Sequence, residues 1–278
     1  MMAIVAELFG PLAQLITSLT VSIIACILAH LWLPPVLAKA NLYMFLSQSF
    51  YLDVSGAATY FYIAKPDQYP DGPHFSATYF FTYTAIVGAI ANVVGVSLFQ
   101  FTLSKGTFRM ALWSTTFVQC IASFVDVVMI NRWNLDIGIP DKLWYMLGDA
   151  MILNIIGLLN YMPMAVLTSK VCPKGLEALV YALLAGFQNF GMATASFMGV
   201  FATDLIGIQT DPQATPWDFT GLGWLIIVGH CIMPLICVPL TFVLIPKAKL
   251  TDSIVELAGL QQKRPSSQEE TRGSTALA

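Results

Sequence analysis

The chain has 278 residues, of which 57% are hydrophobic and only 10% are charged. Soluble domains carry roughly 25% charged residues, so the composition excludes a soluble protein and predicts an all-α polytopic membrane protein. The formal net charge of −3 gives no basic surface for nucleic acid, and the partner that we expect first is the lipid bilayer.

Hydropathy predicts about seven transmembrane helices, because a helix needs about 20 apolar residues to cross a bilayer. The predicted spans cover approximately residues 11–33, 42–63, 76–101, 107–130, 143–168, 175–207 and 218–245. Residues 1–41 then contain an outer N-terminus, one span and a cytoplasmic loop, and residues 42–246 contain six further spans. The polar tail over 247–278 has too little apolar content to fold, so we expect it to be cytoplasmic and largely disordered.

The distribution of Lys and Arg predicts the orientation, because short cytoplasmic loops are enriched in both. Only Lys65, Arg132 and Lys142 lie in one set of alternate connectors, whereas the other ten basic residues lie in the opposite set and the tail. The pattern predicts a multi-pass plasma-membrane protein with its N-terminus outside and its C-terminus in the cytoplasm.

Ionisable side chains at membrane depth are costly and are therefore candidates for function. Asp149 lies about two turns inside the fifth span. At 3.6 residues per turn it shares a stripe with Leu153, Ile156 and Asn160 but not with Asn154. We expect this stripe to face a polar cavity. Asp53, in the second span, either lines the same cavity or bonds to a Ser, Thr or Tyr on an adjacent helix.

Further polar side chains within the spans include Gln188, Asn189, Asp126, Asp204 and His230. Gln188 and Asn189, in the middle of the sixth span, either join helices or contact substrate. Asp126 and Asp204 lie a few residues from the outer ends of their spans, where we expect a solvated or helix-end role. His230 lies near the middle of the last span, where a neutral imidazole bonded to a neighbouring helix is expected.

A compact basic turn joins the fifth and sixth spans, and it consists of Lys170, Val171, Cys172, Pro173, Lys174, Gly175, Leu176 and Glu177. Pro173 and Gly175 favour a tight turn, and Glu177 falls in the first turn of the next helix, where an acid suits the helix dipole. This glutamate either stabilises the helix alone or forms a salt bridge at a cytoplasmic gate. The candidate partners for such a bridge are Lys105, Arg109 and Lys170.

The sequence contains no pattern typical of a metal site or of an enzyme. The five cysteines lie within spans or on the basic turn, which implies neither a disulfide framework nor metal-ligand spacing. No His-Glu-x-x-His or Gly-x-Ser-x-Gly motif occurs. We therefore expect no enzymatic activity, no metal and no cofactor.

The central part of the chain resembles the folate–biopterin transporter family, a branch of the major facilitator superfamily. The matching pieces are Leu147-Gly148-Asp149, Tyr161-Met162-Pro163, Cys172-Pro173-Lys174-Gly175-Leu176-Glu177-Ala178, Tyr181-Ala182-Leu183-Leu184 running into Asn189, and Gly95-Val96-Ser97-Leu98-Phe99-Gln100 leading to Lys105, Phe108 and Arg109. The resemblance covers most of residues 35–246.

The resemblance implies a twelve-helix transporter whose sixth helix is the first span here and whose C-terminal half is the remaining six. The first five helices are absent, so we expect an incomplete portion that lacks one wall of the substrate site and needs a missing N-terminal half or a second subunit. A truncated gene product or a gene model with an incorrect start would also give a chain that lacks these helices. Two alternatives are a seven-helix receptor and a non-transporting truncated paralogue.

The family also implies proton-coupled symport of folate, biopterin or a related pteridine. Asp149 would take up and release the proton, and its carboxylate could accept the paired N–H donors of a pterin ring. Asn160 and Asn189 would extend this recognition, and Asp53 and Gln188 are the further candidates for binding substrate or proton.

Overall fold

The computed structural model describes residues 2–171, 175, 177–208, 210 and 216–252. Regular structure in these residues is almost entirely helical, which confirms the all-α fold class. The α-helices are α1 (Met2–Trp32), α2 (Pro35–Ser49), α3 (Ser55–Ile63), α4 (Thr84–Thr102), α5 (Phe108–Ala122), α6 (Phe124–Ile130), α7 (Trp133–Asp136), α8 (Asp141–Leu147), α9 (Asn154–Val171), α10 (Glu177–Ile206), α11 (Leu222–Ile226) and α12 (Cys237–Leu244). π-Helical segments cover Thr78–Tyr83, Gly148–Leu153 and Ile227–Ile232, and a short 3₁₀ segment covers Met233–Ile236.

Six helical stretches of the described residues are long and apolar enough to cross a membrane. They are Leu12–Trp32, Thr78–Thr102, Phe108–Ile130, Asp141–Lys170, Ala178–Ile206 and Leu222–Leu244. These stretches match six of the seven predicted spans and confirm a multi-pass membrane protein.

The other predicted span, over 42–63, is not one continuous helix. It consists of α2, which begins earlier than expected at Pro35, and α3, and residues 50–54 between them are not helical. The Leu52 N–H donates to the carbonyl oxygen of Gly229 at 3.3 Å, and the Asp53 N–H donates to that of Ala195 at 3.3 Å. Backbone groups freed by a break at membrane depth must find partners within the protein, and α10 and the Ile227–Ile232 segment provide them here.

Apolar side chains form two separate clusters. The Phe108 cluster joins α2, α5, α9, α10 and α12 around Phe108, Leu112, Leu167 and Leu184. The Phe61 cluster is rich in aromatic rings and is built from α3, α6, α8, α11 and the loops beside them. Its rings include Phe61, Tyr62, Phe75, Tyr145, Trp217 and Phe219. Polar residues lie between these two clusters and line a cavity there.

Helix α1 packs against α2 and α10 along a narrow polar seam. The Ser18 and Ser22 hydroxyl oxygens lie 3.0 and 3.3 Å from the Thr194 hydroxyl oxygen. All three residues are buried, whereas Ile23 and Leu31 on the same helix are 60% and 69% exposed. Small hydroxyl residues allow close approach of two helices in a membrane, where the large apolar side chains face lipid.

Candidate functional site

Two adjacent cavities lie among the helices. The larger has a volume of about 710 Å³ and borders the Phe61 cluster, and the smaller has a volume of about 320 Å³ and borders the Phe108 cluster. Both are lined by Gln48, Tyr51, Gly157 and Met192, so these four residues lie between them. A space of this size holds a small organic molecule.

The larger cavity is lined by many hydrogen-bond acceptors. Its polar lining consists of Gln48, Tyr51, Asp53, Ser55, Thr59, Tyr62, Asn92, Asp126, Tyr145, Asp149, Asn154 and His230. Among the described residues, no Lys or Arg lines either cavity. Three carboxyl groups without a fixed cation favour a ligand that presents N–H or positively charged groups.

Each π-helical segment contributes a side chain to the larger cavity. Phe80 comes from Thr78–Tyr83, Asp149 from Gly148–Leu153 and His230 from Ile227–Ile232. Single π turns within α-helices are rare and frequently occur at functional sites, because they rotate the following residues relative to a regular helix. The three segments therefore mark the cavity as the candidate site.

Asp149 lines the larger cavity, and Asp126 lies next to it. The two carboxyl groups are close enough to interact electrostatically, with Tyr62 beside Asp126 and Tyr145 beside Asp149. Asp126 is only 9% exposed, which differs from the expected solvated position near a span end. The difference arises because α8 packs against α6, with Trp144 Nε1 donating to the carbonyl oxygen of Val125 at 3.0 Å, so this end of the span is covered.

Asn154 also lines the larger cavity, in contrast to the 3.6-residue stripe predicted from sequence. Its amide donates to the carbonyl oxygens of Asp149 and Ala150 at 3.3 and 3.0 Å. The π turn that precedes Asn154 changes the helical phase, so Asp149 and Asn154 share a face although they are five residues apart. Ile156, expected on the stripe, is buried outside the cavity lining.

Asn160 lines the smaller cavity and belongs to a hydrogen-bond network between α5 and α9. Its amide nitrogen donates to Gln119 Oε1 at 2.5 Å, and its carbonyl oxygen accepts from the Thr115 hydroxyl at 3.1 Å. The network holds the Asn160 side chain in one orientation at the cavity wall. Asn160 and Asp149 therefore line two adjacent cavities.

The other predicted binding residues have different positions. Asp53 lines the larger cavity, and its Oδ1 accepts from the Ser55 N–H at 3.0 Å, which stabilises the start of α3. Gln188 lines the smaller cavity. Asn189, the next residue of α10, is exposed and is absent from the linings of both cavities.

His230 connects the last span to the break between α2 and α3. Its Nε2 lies 2.7 Å from the carbonyl oxygen of Leu52. The sequence predicted a bond to a neighbouring helix, but the partner lies in the non-helical residues 50–54. The ring stacks on Tyr51 with centroids 4.2 Å apart and an interplanar angle of 11°. The break is therefore fixed from the side of the last span as well as from α10.

The predicted gate lies partly outside the described residues, which exclude Cys172, Pro173 and the side chain of Glu177. Gly175 has φ +88°, a conformation that favours glycine and is consistent with the predicted turn. A salt bridge from Glu177 stays a prediction.

Two of the three proposed gate cations bind the segment that follows α12. Arg109 Nε donates to the carbonyl oxygen of Ile245 at 2.8 Å, and Lys170 Nζ donates to that of Thr251 at 3.2 Å. Lys105 is exposed in the loop between α4 and α5. The backbone of this loop pairs with the same segment, since the Leu250 N–H donates to the Gly106 carbonyl oxygen at 2.9 Å.

Several polar residues of the larger cavity were not identified from the sequence as candidate binding residues, among them Tyr62, Asn92, Asp126 and Tyr145. Asn92 had a usable signal, because an amide within an apolar run is as unusual as a carboxylate. Tyr62 and Tyr145 had none, since a core tyrosine and a tyrosine beside a carboxyl group look alike in a single sequence. No group of three His, Cys, Asp or Glu side chains in the described residues is arranged to hold a metal ion.

Comparison with known proteins identifies the family. The profile of the BT1 family matches residues 6–264. The chain belongs to the BT1 family. This is a family of transporters similar to the major facilitator superfamily, not of enzymes, and it confirms the resemblance predicted from the central motifs.

The BT1 chain is similar to several curated proteins. It is 31% identical over 224 residues to probable folate-biopterin transporter 2 of Arabidopsis thaliana, a match that covers 78% of this chain and 42% of the relative. It is 31% identical over 233 residues to probable folate-biopterin transporter 6 of the same plant, covering 83% and 43%. It is 30% identical over 145 residues to the folate-biopterin transporter of Synechocystis sp., covering 52% and 28%.

The BT1 chain therefore spans less than half the length of the curated relatives that it matches. No solved structure matches it.

Proposed function

We propose that this BT1-family chain forms the C-terminal half of a membrane transporter for folate, biopterin or a related pteridine, driven by protons. The observation that carries the proposal is the cavity in which Asp126 and Asp149 lie together. The names of the relatives, folate-biopterin transporters, support the class of substrate. Residues 1–41 then correspond to the sixth helix and the following loop, and residues 42–246 to the C-terminal half.

The chemistry of a pterin ring suits this cavity. The ring presents an exocyclic amine next to a ring N–H, and one carboxylate can accept hydrogen bonds from both. Asp126 and Asp149 supply carboxyl groups, and Asn92 and Asn154 supply amides in the same lining. The described lining lacks a cation for the glutamate carboxylates of folate, so the pterin end is the part that binds here.

The pair of aspartates also provides a route for proton coupling. Two neighbouring carboxyl groups can exchange a proton, and Tyr62 and Tyr145 lie beside them as hydroxyl partners. If one carboxyl group binds the pterin while the other holds the proton, the two ligands occupy the site together. Alternating access then requires a second wall, which a missing N-terminal half or a second subunit would supply.

The orientation of the chain follows from its basic residues. We place the C-terminus in the cytoplasm and the N-terminus outside, with the protein in the plasma membrane. Arg109 and Lys170 then anchor the segment after α12 at the cytoplasmic surface. Protease protection of epitope tags at the two ends in sealed cells tests the orientation, and a cleavable C-terminal tag would contradict it.

Uptake by the complete protein tests the mechanism. Asp149→Asn and Asp126→Asn should each abolish accumulation of tritiated folic acid or biopterin in vesicles with an imposed proton gradient. Asp136→Asn is the matched control, because Asp136 is an exposed aspartate of α7 outside the cavity lining. Surface expression of all three variants should equal that of the wild type. Undiminished uptake by Asp149→Asn would remove this residue from the mechanism.

The 278-residue chain itself tests the assignment as a half-transporter. Expressed alone, it should not accumulate substrate, because one wall of the transport path is absent. Co-expression with an N-terminal half from a BT1 relative should restore uptake. Clear saturable transport by the chain alone would overturn the assignment. Absence of uptake both by the chain alone and by the co-expressed halves would favour a non-transporting paralogue.

A further inference from the structure

We infer that His230 is a ligand-binding residue of the larger cavity and that its Nδ1 accepts a hydrogen bond from an N–H group of the ligand. The inference rests on the proposed function, since it takes the ligand to be a pteridine. It adds a binding residue from the last span, whereas Asp126 and Asp149 belong to other spans.

The hydrogen bond at Nε2 determines what Nδ1 can do. Nε2 lies 2.7 Å from the carbonyl oxygen of Leu52, and a carbonyl oxygen only accepts. Nε2 must therefore hold the hydrogen. In a neutral imidazole, the other ring nitrogen then has a free lone pair, so Nδ1 is an acceptor.

The ring has little freedom to turn away from this arrangement. Tyr51 stacks on one face of the imidazole, and the residue as a whole is only 8% exposed. The backbone at Gly229 is packed against Leu52, since a Cβ on this glycine would lie 2.6 Å from the Leu52 Cβ. These contacts hold the acceptor in place before any ligand binds, which lowers the entropic cost of binding.

Nδ1 has no hydrogen-bond partner in the described part of the chain, although the atom is buried and the residue lines the larger cavity. The same is true of Asn92 Oδ1, a buried acceptor in the lining that α4 contributes. Leaving a buried polar atom without a partner is costly, so each such atom in a folded protein requires an explanation. A ligand with several N–H donors would satisfy both acceptors.

Two substitutions separate ligand binding from the contact with Leu52. In His230→Gln the side-chain amide nitrogen can replace Nε2 and still donate to the Leu52 carbonyl oxygen, but the Nδ1 acceptor is lost. In His230→Asn the shorter amide lies near the position of Nδ1, and the contact with Leu52 is lost. His30→Gln is the control, because His30 is exposed on α1.

The experiment measures binding of tritiated biopterin to the purified 278-residue chain in lipid nanodiscs, together with the melting temperature of each variant. We expect His230→Gln to bind biopterin about tenfold more weakly than the wild type, at an unchanged melting temperature. A tenfold loss is the effect of one lost hydrogen bond that leaves an N–H group of the ligand unpaired. His230→Asn should have a lower melting temperature, and His30→Gln should bind like the wild type.

Equal binding by His230→Gln and the wild type would overturn this inference and leave the proposed function intact. Absence of biopterin and folic acid binding by the wild type, both alone and when co-purified with an N-terminal half from a BT1 relative, would overturn both. A second measurement does not depend on variants. The chain has three histidines, so nitrogen NMR can resolve each ring. Biopterin should shift the His230 Nδ1 resonance, and an unmoved resonance in a saturated sample would also overturn the inference.

Discussion

Gly199 lies directly against the backbone of Asp53, and a Cβ at position 199 would stand 1.8 Å from the Asp53 carbonyl oxygen. The neighbouring atom belongs to the main chain, so it has no rotamer that would relieve the clash. The close approach lets α10 reach the break between α2 and α3, where the Asp53 N–H donates to the Ala195 carbonyl oxygen. The break and the glycine therefore depend on each other.

Gly199→Ala should destabilise the protein by roughly 1–3 kcal/mol, because the added methyl group must push α10 away from the break. Gly186→Ala is the matched control on the same helix, where nothing lies within 4 Å of the new Cβ. This control should be neutral or stabilising by about 0.5–1 kcal/mol, since alanine favours helix over glycine. Thermal unfolding in detergent measures both variants. Equal melting temperatures of the Gly199→Ala and Gly186→Ala variants would show that α10 does not pack closely against the break.

Hydropathy was sufficient to predict the helical fold and the six long spans, because apolar length is a local property of the sequence. The family was predicted from the central motifs. The break at residues 50–54 was not predictable in this way. It depends on partners far along the chain, since Ala195 lies 142 residues after Asp53 and Gly229 lies 177 residues after Leu52. Only tertiary contacts distinguish a broken span from a continuous one.

The candidate site was only partly predictable from the sequence, because tertiary contacts also determine where some of its side chains lie. A carboxylate inside an apolar span identified Asp149 as a candidate without any structure. Asp126 was assigned a solvated role, because distance from the span end does not reveal that α8 covers α6. Asn154 was excluded because a regular helix was assumed, and no sequence feature indicates the π turn over Gly148–Leu153. Side chains whose position depends on such turns require coordinates.

Asn160→Ala should lower both stability and substrate affinity. The substitution leaves Gln119 Oε1 without the Asn160 donor, which costs about 1–3 kcal/mol for a polar group taken out of water. The Thr115 hydroxyl keeps the carbonyl oxygens of Ala111 and Leu112 as acceptors. Asn189→Ala is the control, since this exposed amide of α10 should tolerate truncation within about 0.5 kcal/mol. Melting temperature and biopterin binding are measured for both. A larger effect at Asn189 would contradict the assignment of Asn160 to the cavity wall.

Arg109→Lys should loosen the segment that follows α12. A lysine retains the charge but lacks the Nε group that donates to the Ile245 carbonyl oxygen, and it loses the planar group that lies 5.9 Å from the Phe242 ring centroid. Limited proteolysis after residue 245 should become roughly fivefold faster, equivalent to about 1 kcal/mol. Lys105→Arg, an exposed exchange in the adjacent loop, should leave the rate unchanged. Equal rates for both variants would show that Arg109 does not anchor the segment.

The seam between α1 and α10 predicts a specific cross-link. The hydroxyl oxygens of Ser18 and Thr194 are 3.0 Å apart, so cysteines at these positions are close enough for a disulfide with ordinary geometry. With the native cysteines replaced by alanine, Ser18→Cys combined with Thr194→Cys should form an intramolecular disulfide in membranes on mild oxidation, detected by mass spectrometry. Thr20→Cys combined with Thr194→Cys is the control, because Thr20 lies on the exposed side of α1. Equal yields from the two pairs would show that α1 does not dock on α10 through this seam.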